Sequence, residues 1–276
     1  MNFFDEVDSL GIAERHANRV LKLEESSGKS LISDYKAIRQ ELRDRLTMTP
    51  NDTFTAQKLR GVLLQVELAI EAQGRALKSG MKDSASDFAS LGVDHLLSEI
   101  RKFQDEFSGA VMPINLNAAA IADDASQLLV NQYDASIDAY SSAQRGAIGS
   151  SLTQSVIAED GLYEVVGRLS QYMMAEEWKV LRLARTELHN VYSLGKLTGM
   201  RELQSGDVPD LKKALYHPMD SRTGKDSVYA QTLNQIVPID EPFSYRWGGK
   251  IRTYMTPPDR PNDRSILIPY RDSWAK

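Results

Sequence analysis

Residues able to do chemistry are few in this chain. There is no cysteine, so disulfides, thiol nucleophiles and thiolate metal sites are excluded. The histidines are His16, His95, His189 and His217, and no two stand at metal-ligand spacing on one helix. Thr186-Glu187-Leu188-His189-Asn190 departs from the His-Glu-x-x-His pattern. Each histidine reads as a surface or packed residue. No nucleophile elbow, phosphate loop or dinucleotide fingerprint is present, and Gly146, Gly149 and Gly161 have the wrong spacing and lie in helical sequence. Hydrolysis by paired carboxylates needs an acid and a base. Residues 206–276 hold a single glutamate, Glu241, and most of their aspartates stand beside Pro, Ser or Arg in turn-like sequence, where Asp commonly bonds its own backbone. The expectation is no cofactor, no metal and no catalytic residue.

One carboxylate is unusually placed. Glu187 shares a helical face with Val180 and Leu183 before it and with Val191 and Leu194 after it. Burying it there costs several kcal/mol, on the order of 3 or more, unless strong donors meet it. Arg185 is two residues away and projects to nearly the opposite side. The donor is therefore expected from the C-terminal region, with Arg222 and Arg264 as candidates able to grip a carboxylate bidentately. Such a pair would lock the C-terminal region to the helix. An alternative is that Glu187 is itself catalytic.

The elements that would position these groups follow from proline. Only Pro50 and Pro113 fall before residue 206, and the other eight crowd into residues 206–276. Proline blocks helix interiors, so residues 1–205 are predicted to be a long helical region, as a bundle or an extended array. A helix break is expected near Gly28 and stops near 50, 80 and 113. Leu59, Val62, Leu63, Val66 and Ile70 form one amphipathic stripe, and Phe88, Leu91, His95, Leu96 and Ile100 another. Further helices are predicted at about 117–130, 134–158, 161–173 and 175–203. Short β-prone runs follow at 228–230, 235–237, 243–247, 251–254 and 265–268, with Gly248-Gly249 set to turn a hairpin from 243 to 255. The predicted fold class is mainly α: a helical region, 1–205, then a small proline-rich α+β or β-rich domain, 206–276, docked on helix 175–203.

Charge is unevenly spread. The chain carries −5 overall. No long basic run exists, so a strong nucleic-acid footprint is not expected, although Lys250, Arg252, Arg260, Arg264 and Arg271 offer weak DNA contacts. No apolar run is long enough to span a bilayer. The start, Met1-Asn2-Phe3-Phe4-Asp5-Glu6, lacks the features of a signal peptide, and a cytosolic protein is expected.

The segment Leu183-Ala184-Arg185-Thr186-Glu187, followed by Asn190 and Gly195, resembles the Arg-Thr-Glu helix of phage minor head proteins. This head morphogenesis family includes the F protein of phage Mu and gene product 7 of phage SPP1. Downstream, Asp220-Ser221-Arg222-Thr223 looks like the family's Asp-x-Arg-Thr turn. Val237-Pro238-Ile239-Asp240-Glu241-Pro242-Phe243 looks like its proline-flanked acidic segment. Residues 257–261 and 264–269 look like its closing motif. The resemblance covers about residues 180–274. Where relatives often carry a His and two Cys, this chain has Ser227, Asp263 and Ser265, which removes any Cys2His-type site. The resemblance implies a minor capsid protein of the virion interior or portal vertex, present in the host cytoplasm during assembly. Its implied partners are the portal protein, the major capsid or scaffolding protein, and packaged DNA, with no membrane. It would act in procapsid assembly and DNA packaging or delivery. The competing reading is a phage-borne effector enzyme with an ADP-ribosyltransferase-like or nuclease-like C-terminal domain.

Overall fold

The computed structural model describes residues 3–47, 56–108, 114–158, 162–218, 231–232, 235–260 and 263–274. The protein is mainly helical, with a long N-terminal helical region and a small C-terminal β region. The helices are α1 (Phe3–Leu10), α2 (Ile12–Thr47), α3 (Ala56–Phe103), α4 (Ala118–Ile157) and α5 (Leu162–Ser205); a single π turn, Gln104–Ser108, follows α3. The strands are β1 (Lys212–Tyr216), β2 (Ile236–Pro238), β3 (Phe243–Trp247), β4 (Lys250–Tyr254) and β5 (Ile266–Tyr270). They form an antiparallel sheet ordered β2-β1-β5 and a separate β3–β4 hairpin. Among the described residues every strand lies after residue 206.

The helices are longer than their glycines suggest. α2 runs through Gly28 and α3 through Gly80, so the break expected near 28 and the stop expected near 80 are absent. Both glycines serve packing instead. A Cβ at Gly28 would collide with Leu181, and one at Gly80 would stand 2.7 Å from Leu31 Cδ2. The break falls at Gly11, whose φ of +60° is a left-handed conformation that costs other residues energy. The segments expected at 117–130 and 134–158 join as α4, and those at 161–173 and 175–203 join as α5. Pro50 and Pro113 lie outside the described residues, as do 228–230.

The compact units do not follow the boundary expected at 206. One unit comprises residues 1–25, 84–129 and 185–276, and the other comprises 26–83 and 130–184. The first is closed by an aromatic cluster. Phe3 packs edge-on against Phe103 and Tyr270, with ring centroids 5.6 and 4.8 Å away, and Trp274 meets Phe103 at 5.6 Å. Because Trp274 is fully buried there, the C-terminal strands belong to the same core as α1. Within the second unit, Val62, Val66 and Ile70 of α3 pack with Ile148 and Leu152 of α4 and Val165 and Leu169 of α5. These residues recur every four positions, the spacing of one helix face. Arg39 donates to Glu177 at 2.7 Å and Lys78 to Asp138 at 2.9 Å on its surface.

Candidate functional site

Helix α5 is held against α3 by glycine. A Cβ on Gly92 would strike the Tyr192 carbonyl, and one on Gly195 would lie 2.6 Å from the Ala89 carbonyl. Only hydrogen fits at both positions, so the two backbones come into contact. That approach encloses a polar cluster. Lys196 Nζ donates to both oxygens of Glu99 at 2.7 and 2.6 Å, and His16 Nδ1 lies 2.7 Å from the same carboxylate. Lys196 and Glu99 are completely buried, and burial holds the Lys196 ammonium below its usual pKa although Glu99 opposes the shift. The His95 ring stacks on His16, centroids 3.7 Å apart, and meets the Tyr192 hydroxyl at 3.0 Å. Burial, reinforced by His16, Lys196 and Arg19, lowers the His95 pKa to about 2, so this ring stays neutral.

Between two and three turns before Lys196 on α5 stands the Arg185-Thr186-Glu187 segment. Glu187 is buried, as its apolar neighbours require, and accepts from Asn190 Nδ2 at 3.3 Å. Arg222, proposed to grip it, lies outside the described residues, as do Asp220, Thr223 and Ser227. Arg264 stands with Arg185 and Thr186 around a pocket of about 240 Å³, together with Leu21, Glu24, Glu25 and Asp263. The pocket therefore unites the Arg-Thr-Glu segment with residues 263 and 264, far along the chain. Its wall carries both signs of charge, which suits a polar or charged group.

Behind that wall runs a second buried network. His189 places Nδ1 2.8 Å from Glu24 and Nε2 2.7 Å from the Ser265 carbonyl. Both atoms opposite are acceptors, so both ring nitrogens donate and the ring is an imidazolium. Burial alone would lower its pKa. The bonded Glu24 carboxylate, Asp263 and the Ser265 carbonyl outweigh burial and raise it. Ser265 also donates from its hydroxyl to Asp263, and its Oγ lies 2.6 Å from His217 Nδ1. With the hydroxyl proton committed to Asp263, His217 must donate from Nδ1. Its Nε2 lies 3.2 Å from Thr232 Oγ1. Burial lowers the His217 pKa to about 4, against Asp263 and the Thr232 backbone, which raise it, so the neutral ring is favoured. Thr232, His217, Ser265 and Asp263 thus form one connected chain of hydrogen bonds, and all four residues are buried.

The remaining expected residues are distributed over several elements. Phe243 is buried beneath Lys213, whose Nζ lies 5.1 Å from the ring centroid and donates to the Met255 carbonyl. Asp240 is exposed and accepts from Arg201 at the end of α5 at 2.8 Å. Pro242 is exposed beside it. Lys250 and Arg252 are exposed on β4, Arg260 lies 3.9 Å from Asp259, and Arg271 is held by Asp210 at 2.8 Å. Among the described residues no group of three His, Asp or Glu could hold a metal ion, and no helix is long and apolar enough to cross a membrane.

No known protein family, curated protein or solved structure matches this chain.

Glu24, Glu99, Lys196 and the strand β1 were not among the residues that sequence spacing singled out. The pairs His189–Glu24 and Lys196–Glu99 are separated by 165 and 97 positions, so no local pattern marks them.

Proposed function

We propose that this chain is a minor capsid protein of a tailed-phage head, associated with the portal and acting in procapsid assembly and DNA packaging or delivery. The supporting observation is convergence. Arg185 and Thr186, from the segment that resembles the family's Arg-Thr-Glu helix, line one pocket with Arg264, which opens the second stretch of its closing motif, and with the adjacent Asp263. Motif segments that build one site are expected to act together. The titratable groups gathered around that site bond chiefly to one another inside the fold. That arrangement suits a rigid binding body better than an effector enzyme, whose reacting groups must reach substrate. The portal is the first partner proposed, with the major capsid or scaffolding protein and packaged DNA as further contacts, and the virion as the place of action.

Co-expression with the portal protein of the same phage is the test. The two should elute together, and phage lacking the chain should form heads that package poorly or infect less. Separate elution, together with unchanged particles when the chain is deleted, would remove this reading.

A further inference from the structure

The β3–β4 hairpin treats its two edges differently. Gly248 and Gly249, with φ of 58° and 77°, make a two-residue turn whose twist matches the strands. The register pairs Trp247 with Lys250, Tyr245 with Arg252 and Phe243 with Tyr254. The pair beside such a turn exchanges its hydrogen bonds, and the pattern alternates from there. Ser244 and Arg246 on β3, and Ile251 and Thr253 on β4, therefore turn their backbone groups outward.

On β3 those groups are met. Gln235 bonds both the Ser244 carbonyl, at 2.8 Å, and its N–H, at 3.3 Å. Gln231 bonds the Arg246 carbonyl at 3.2 Å and its N–H at 2.9 Å. Each side-chain amide imitates the peptide of a neighbouring strand. On β4 no such partner meets Ile251 or Thr253 among the described residues, and Ile251 is 68% exposed. An edge left in this state is a template for another strand.

Charge selects what can use it. Arg246, Lys250 and Arg252 are exposed, and no acid occurs between Glu241 and Asp259. Two copies joined edge to edge would bring Lys250 and Arg252 of each against like charges. A lipid surface needs one continuous apolar face, whereas Trp247 and Ile251 occupy opposite faces of the hairpin, as their register positions require. An extended chain with acidic side chains satisfies both the backbone groups and the cations. We propose that the outer edge of β4 is a docking site for an extended, acidic segment of a partner protein, which joins the hairpin as a third strand. The inference stands on the hairpin's own geometry, whether or not the partner is a portal.

The test pans a random peptide library against the full chain. Recovered peptides should be acidic and rich in β-branched residues, and they should slow amide exchange at Ile251 and Thr253. Thr253→Pro removes an outward N–H that β3 does not use; it should weaken binding by about tenfold, as loss of one strand hydrogen bond would. A Lys250→Glu/Arg252→Glu variant leaves the backbone intact and should turn the preference towards basic peptides, which keeps the test decisive if the proline disturbs the hairpin. Recovery of no peptide, recovery without acidic bias, preference unchanged in the charge variant, or binding of duplex DNA in place of peptide would each overturn the proposal.

Discussion

His189 faces an acceptor with each ring nitrogen, so its charge is set by two bonds rather than by the solvent. Its raised pKa means that it contributes stability fully below about 6.5, the ordinary value, and loses that contribution as pH rises through the folded-state value. His217 and His95 behave in the opposite sense. Their pKa values are lowered to about 4 and about 2, so their contributions are present above 6.5 and fade as pH falls towards those values. Two outcomes are expected at this scale. Glu24→Gln should destabilise the protein by on the order of 3 kcal/mol, because it strips a buried cation of its partner. In that variant the His189 imidazole signals, followed by NMR, should titrate at lower pH than in the parent protein, where Glu24 helps to raise the pKa. Thermal melts should move to lower temperature as pH drops from about 6.5 towards 4, and His217→Gln should make that slope shallower. An unchanged slope would show that His217 titrates without cost to the fold.

Among the elements, glycine has two opposite uses. At Gly195 the neighbouring Ala89 carbonyl leaves no room for a methyl group, so Gly195→Ala should cost about 2 kcal/mol by forcing α3 and α5 apart. At Gly146 of α4 nothing lies within 4 Å of the added carbon. There, Gly146→Ala should stabilise by about 0.5–1 kcal/mol through lower unfolded-chain entropy and better helix propensity. Urea denaturation of both variants checks the contrast. The same contrast explains what could be read beforehand. Gly248-Gly249 announced a hairpin because turn chemistry is local, and Glu187 announced its burial because its apolar neighbours share its helix. Gly28 and Gly80 look like breaks in the sequence because the leucines that need their space, Leu181 and Leu31, are remote in the chain. β1 escaped notice because it opens with Lys212 and Lys213, which resemble a solvated run. Lys213 is buried over an aromatic ring that no local pattern reveals.

For the whole molecule, the C-terminal strands are part of a core that also holds α1 and the end of α3. A chain cut after Ser205 loses Tyr270 and Trp274 from the cluster around Phe3 and Phe103. Removing a buried tryptophan alone costs about 3–5 kcal/mol. Hydrogen exchange on the truncated chain should therefore show residues 3–25 and 84–107 losing their protection. Equal protection in the truncated and full chains would mean that the helical region is self-sufficient after all. The polar clusters belong to this unit, and their pairing, like the unit itself, rests on contacts made across long stretches of chain.

The contact between Phe3 and Tyr270 also sets a timetable. During synthesis the first helix must wait for a strand made near the other end of this sequence, while every residue of the second unit, 26–83 and 130–184, has already been joined to the chain. Vectorial growth thus favours early closure of the second unit and leaves the part of the α1 cluster that meets Tyr270 and Trp274 uncovered until late, the interval in which a nascent chain is most prone to wrong association.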